Sequence, residues 1–302
     1  MTQVKETLIV HIKTFIMINR IKEVIKKRNH FSLLKNFSRA NDYNGTLSNK
    51  INVFFNLCVL QFKTIFESTD YTPKSVTLLN YKVTGYSYNT IRHLFVEIFV
   101  LKEYLFSSQI INPIIIDCGS NIGMSILFFK NKFPEATIIG IEANPNAFTL
   151  LQKNIEANNL QNIVLHNIAL SSHTGELSFF IDENLGSLTA SQNQSRGGKS
   201  EQNVKAEKLS KLIQKFSSID LIKMDIEGSE IEVISDLFIS NTLNIANEYI
   251  IEYHHNIETD KSKLSDFLAK FEHNGFNYNI KSNYQEKGDN QDVILHFYKS
   301  IN

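Results

Sequence analysis

The stretch IIIDCGSNIG, residues 114–123, decides the fold of this chain. Three isoleucines run into Asp117, and Gly119 and Gly123 follow four residues apart. Ile122, Ile126 and Phe129 then open an apolar face at helical spacing. That order reads as a strand, a tight turn and a helix start. Glycine lets a backbone approach a ligand closely, and the N–H groups at a helix start favour polar or negative groups. A ligand held there lies at the carboxyl edge of a sheet, where open α/β folds bind small molecules.

Outward from this turn the same rhythm repeats. ATIIGIE (136–142), NIVLHNIAL (162–170), IDLIKMD (219–225) and EYIIEYH (248–254) are short apolar runs separated by helical stretches. Such runs suit strands buried on both faces, and their alternation with helices implies a mostly parallel sheet with crossovers. HNGFNYNIK (273–281) and QDVILHFYK (291–299) read as a closing pair of strands joined by a polar turn at Gly288. Upstream, TLLNYKVTGYSYN (77–89) alternates like a half-buried strand, and HLFVEIFVLKEYLF (93–106) returns to helical spacing. Residues 5–38 and 51–66 also have helical periodicity. The expected organisation is therefore a helical N-terminal segment, 1–75, before one α/β layer sandwich, 76–302. The polar stretch GSLTASQNQSRGGKSEQN (186–203) offers almost nothing to a core and reads as a long loop, either a cover over a site or a plain insertion.

Composition narrows the partners. Lysines plus arginines number 31 and acids 31, so no overall field draws the chain to nucleic acid. The two cysteines, Cys58 and Cys118, suggest neither a disulfide framework nor a cysteine metal site, and a cytoplasmic location is expected. In LIVHIKTFIMINRIKEVIKK (8–27), His11, Lys13 and Arg20 interrupt the apolar run, so no transmembrane segment or secretory signal is expected.

The turn itself separates two cofactor classes. A dinucleotide fingerprint wants glycines at the first, third and sixth positions, which here are Gly119, Asn121 and Met124. Asp117 at the strand end repels a pyrophosphate but suits an ammonium group. One strand later Glu142 can accept hydrogen bonds from both ribose hydroxyls. Ribose plus ammonium points to S-adenosylmethionine. The structural alternative is that Asp117 and Glu142 merely cap the helices after them.

With these residues in hand, the chain resembles the FkbM family of S-adenosylmethionine-dependent methyltransferases over about residues 80–280. The marks are VEIF followed by Tyr104, IIIDCGSNIGMSILFF, IGIEANPNAFTLLQKNI, HNIALSSHTGELSFF, DLIKMDIEGSEIEVI and IIEYH. The resemblance implies a Rossmann-like class I methyltransferase sandwich and methyl transfer to a hydroxyl of a sugar, glycan or secondary metabolite. It further implies that Asp117, Gly119, Asn121 and Gly123 line the methionine end of the cofactor and that Glu142 takes the ribose. Ala143 and Asn144 then lie near the adenine edge, and Asn167 with Ala169 closes the adenine side.

In the second half of the chain, strand alternation puts Lys223 with Asp225 on one face and Glu252 with His254 on another. His254 is the natural general base, with Asp225 its competitor. Alternatively Asp225, Glu227 and Glu252 hold a divalent cation that acidifies the hydroxyl. Glu230 reads as a first-turn helix charge, and His166, His173 and His255 receive no role. A nicotinamide-dependent oxidoreductase and a noncatalytic binding protein on the same fold are the other functional readings.

Overall fold

The computed structural model describes residues 33–67, 72–181, 190–191, 200–255, 264–282 and 291–300. Of the expected helix over 5–38, only 33–38 falls within them. The turn at Gly288 and residues 186–189 and 192–199 of the polar stretch lie outside the described residues.

Two helices open the described chain, α1 (Leu33–Asp42) and α2 (Leu47–Ile65), the second capped by the Thr46 hydroxyl accepting from Asn49 N. The single strand expected over 77–89 is instead a hairpin of β1 (Lys74–Leu78) and β2 (Tyr81–Gly85). Leu79 and Asn80 turn the chain with φ of 47° and 75°. A two-residue loop with both φ positive matches the right-handed twist of the paired strands. The helix expected over 93–106 starts earlier and ends earlier. Helix α3 (Tyr88–Leu94) passes into a π-helical turn at Phe95–Val100, and no helix follows it.

The main sheet contains seven strands in the order β12-β13-β11-β10-β3-β4-β5. They are β3 (Ile114–Cys118), β4 (Thr137–Ile141), β5 (Ile163–His166), β10 (Ile219–Met224), β11 (Ala246–His255), β12 (Phe276–Ser282) and β13 (Gln291–Lys299). Only β13 runs antiparallel to its neighbours, between β11 and β12. The crossovers carry α4 (Met124–Lys132), α5 (Pro145–Ala157), α6 (Leu209–Ile213), α7 (Glu230–Ile239) and α8 (Leu264–His273). Successive strand residues feed opposite layers. Ile115, Ile138 and Leu221 join one core with α4, α5, the hairpin and α2. Ile116, Ile139 and Ile222 join the other with α7 and α8. This is why the strands read as unbroken apolar runs. Burying each such side chain contributes roughly 1.5–3 kcal/mol.

A second sheet was not foreseen. NIVLHNIAL, expected as one strand, breaks after His166, and β6 (Ala169–Leu170) leaves the main sheet to pair with β9 (Ser200–Glu207). β7 (Gly175–Ile181) and β8 (Ala190–Ser191) complete it in the order β6-β9-β7-β8. Residues 190–191 and 200–203 of the expected loop are thus strand. Among the described residues, no helix is long and apolar enough to cross a membrane.

Candidate active site

The carboxyl ends of β3, β4, β10 and β11 meet at one edge of the sheet, joined by the start of antiparallel β13, whose Asp292 pairs in register with His254. A cavity of about 350 Å³ opens there. Gly119, Asn121, Glu142, Ala143, Asn144, Ala169, Lys223, Asp225, Glu252 and His254 all line it, whereas Asp117, Gly123 and Asn167 do not.

The glycine turn is built to be close rather than open. Gly119 has a φ of +80°, and a Cβ there would stand 1.7 Å from the Asp225 carbonyl oxygen. The N–H groups expected to face a ligand are occupied within the protein. Gly119 N and Ser120 N donate to Ile141 O, Asn121 N to Glu142 Oε2, Ile122 N to Asn121 Oδ1 and Gly123 N to Ser120 O. No cradle of free donors is left at residues 119–123 for a pyrophosphate.

Asp117 lies beneath the turn, fully buried. Its Oδ2 accepts from the Ser125 hydroxyl at 2.6 Å, and its Oδ1 faces the Lys223 ammonium at 3.3 Å, an ion pair without hydrogen-bond alignment. The ammonium that Asp117 meets is therefore the protein's own. Lys223 Nζ donates to Gly119 O at 2.7 Å and sits 4.9 Å from the Tyr104 ring centre, so it fastens the turn to β10. Burial alone would lower the Lys223 pKa, but the Asp117 and Asp225 carboxylates outweigh it and raise it.

Glu142 stands on the opposite wall. Its two oxygens accept from Asn121 N at 2.7 Å and Asn144 N at 2.8 Å, which fixes the carboxyl facing the cavity. Burial pushes it up to about 7 against those hydrogen bonds. Asn144 also caps α5, accepting from Asn146 N. Asn167 acts from behind: its Nδ2 donates to Glu142 O and Ala143 O, stapling the loop after β4 to the chain after β5.

The other half of the cavity is crowded with acids. Glu97 and Asp292 join Asp225, Glu227 and Glu252 along its wall. Tyr104 donates weakly toward Asp225 Oδ2 at 3.2 Å or Glu252 Oε2 at 3.3 Å. Burial, with Asp225 beside it, pushes Glu252 up to about 9, and burial among Glu103, Asp225 and Asp292 pushes Glu97 up to about 7.

His254 differs from its expected character. Burial disfavours its cation, yet the Glu230 carboxylate, bonded to Nδ1 at 2.9 Å, together with Asp225 and Glu227 raises it to about 10. That shift favours the imidazolium over the neutral ring that the expected general base requires. The reading of Glu230 as a plain helix charge is corrected as well. It is 1% exposed, and its Oε1 also accepts from Ile226 N and Gly228 N, closing the loop around His254. Its chain neighbours gave no sign of this because its partner comes from the next strand. Glu97 was signalled by an acid inside the apolar run FVEIFV, and Tyr104 only by the family motif. His166 and His173 do not line the cavity. His255's side chain lies outside the described residues.

Against known families, the model of the Methyltransferase FkbM domain matches residues 117–278. Methyltransferase 1 of Beauveria bassiana (strain ARSEF 2860) is 28% identical over 161 residues, covering 47% of this chain and 65% of that protein. Methyltransferase sdnD of Sordaria araneosa is 28% identical over 174 residues, covering 47% and 66%. The chain thus spans just under two thirds of the length of these curated relatives. Among solved structures, M. jannaschii TYW2 in complex with AdoMet aligns with a TM-score of 0.43 at 14% identity, covering 77% of this chain and 89% of that one. Aeropyrum pernix fibrillarin with bound S-adenosyl-L-methionine aligns at 0.40 and 10%, covering 78% and 86%.

Proposed function

The chain belongs to the FkbM methyltransferase family, and from that premise we propose that it transfers the methyl group of S-adenosylmethionine to a hydroxyl of a small-molecule or glycan acceptor. The observation that carries this reading is the division of the cavity. One half presents a fixed carboxyl, Glu142, beside the small residues Ala143 and Ala169, and the other a dense group of carboxylates around Asp225.

The cofactor half fits an adenosyl amino acid. Glu142 is aimed at a ribose by two backbone N–H groups and keeps lone pairs for its hydroxyls. The occupied N–H groups of the turn disfavour a pyrophosphate, which speaks against the nicotinamide alternative. Asp117 serves this half indirectly, by holding Lys223 and through it the carbonyl of Gly119. The volume of about 350 Å³ falls within the range of small-molecule sites. When bound, S-adenosylmethionine supplies an electrophilic sulfonium methyl, so the protein's work is alignment and exclusion of water.

Asp225, Glu227 and Glu252 surround the place left for the acceptor, and its proton leaves toward this group. His254 stands there with its Nε2 turned toward the same carboxyl groups. A cavity wall of carboxylates with few cations favours a polar, uncharged acceptor over an acidic one.

Calorimetric titration with S-adenosylhomocysteine, with NADH as the comparison, tests the reading. Micromolar binding of the first alone is expected, and Glu142→Ala should weaken it at least ~10-fold, since it removes both ribose hydrogen bonds. Binding of NADH without S-adenosylhomocysteine would overturn the assignment.

A further inference from the structure

We infer that a divalent cation binds where β10 and β11 end, held by Asp225, Glu227 and the Nε2 of His254. The site is its own observation; only its role, orienting the acceptor hydroxyl, rests on the methyltransferase reading.

His254 carries the argument. It lines the cavity yet its side chain is only 1% exposed. Its Nδ1 is engaged by Glu230 at 2.9 Å, while its Nε2 makes no hydrogen bond among the described residues. Oxygens converge on that nitrogen without bonding to it: Glu227 Oε2 at 3.5 Å, Asp225 Oδ1 at 3.9 Å and Asp292 Oδ1 at 4.0 Å. Ligand atoms each ~2.0–2.2 Å from a shared ion stand up to ~4.4 Å apart, so these separations fall within reach of one centre. One atom from each of Asp225, Glu227 and His254 lies within 4.8 Å of the others.

The surroundings fit the same reading. A metal-binding histidine commonly gives its second ring nitrogen to a carboxylate, which fixes the ring and its tautomer. Glu230 does this, and is itself held by Ile226 N and Gly228 N. Glu227 has a φ of 55° and Gly228 one of 109°, a loop shape with a conformational cost that brings the Glu227 side chain into the cavity wall. A cation also offsets the mutual repulsion of the clustered Asp225, Glu227 and Glu252 carboxyl groups. One imidazole nitrogen among carboxylate oxygens suits Mn2+ or another first-row divalent ion better than Ca2+.

Titrating the full chain with Mn2+, and following loss of the free-ion paramagnetic resonance signal, tests the site. Saturation at one equivalent is expected, abolished in both Asp225→Asn and His254→Ala and weakened ~10–100-fold in Glu230→Gln. Asp225 is partly exposed, so its variant is the one to rely on should the buried histidine variant fail to fold. Mn2+ binding that persists in folded Asp225→Asn overturns the proposal. So does wild-type protein that binds S-adenosylhomocysteine but no Mn2+, which leaves the methyltransferase reading standing. Protein that binds Mn2+ but no S-adenosylhomocysteine does the reverse.

Discussion

A carboxyl group faces the cavity on each side, and the physical chemistry of each follows from its nearest neighbours. Burial pushes the Glu142 carboxyl up to about 7 in the folded chain, against an ordinary value of 4.5. Between those values folding takes up a proton, so the stability contribution is fully present below pH 4.5 and is lost as pH rises through 7. On the order of 3 kcal/mol is at stake, and Glu142→Gln should remove that loss. Urea midpoints of wild type and variant at pH 5 and pH 8 measure it. If the gap between the two proteins is the same at both values, burial does not govern this carboxyl. Strand alternation made Lys223, Asp225, Glu252 and His254 legible in the sequence, because it fixes which residues share a face, and Glu142 was legible as the acid at the end of the next strand. The pairings of Glu230 and Tyr104 were not legible, since their partners are 24 residues away for the first and 121 and 148 for the second.

Elements are joined by a few buried polar side chains, and Asn154 on α5 shows how much one can carry. Its Nδ2 donates to Thr84 O and Ile122 O, both at 2.8 Å, and its Oδ1 accepts from Thr84 N at 2.7 Å. It therefore ties α5 to the hairpin and to the glycine turn at once. Asn154→Ala leaves buried backbone groups unsatisfied at ~1–3 kcal/mol apiece, so a loss of ~3 kcal/mol or more is expected in chemical denaturation. A midpoint within error of wild type would mean that water replaces all three bonds. The central strands β3, β4 and β10 were readable because burial on both faces leaves an unmistakable apolar run. The hairpin and the second sheet were not. The turn at Leu79–Asn80 lacks the usual glycine, and β7 and β9 carry mixed polar sequences whose pairing is set by each other.

Taken whole, the described chain has its N-terminal helices and its sheet in a common core. Val53, Leu57 and Leu60 of α2 belong to the same buried cluster as Ile115, Ile126 and Leu221. Leu57→Ala should cost ~2–5 kcal/mol and shift one cooperative transition rather than split it. Far-ultraviolet dichroism and tyrosine fluorescence, the chain having no tryptophan, should give coincident curves. Separate midpoints would make α1 and α2 an independent unit.

Strand order also sets a timetable. β3 lies in the middle of the finished sheet, with β4 on one side and β10 on the other. As the ribosome delivers the chain, β4 follows almost at once, but β10 starts only at Ile219, about 100 residues after Cys118. At ~5–20 residues per second the isoleucine-rich flank of β3 waits ~5–20 s for its neighbour. Through that interval it is a bare strand edge of the kind that templates aggregation. Recovery of this protein from a cell should therefore follow translation speed and chaperone supply, through a strand whose residues from Ile115 to Cys118 the native molecule buries.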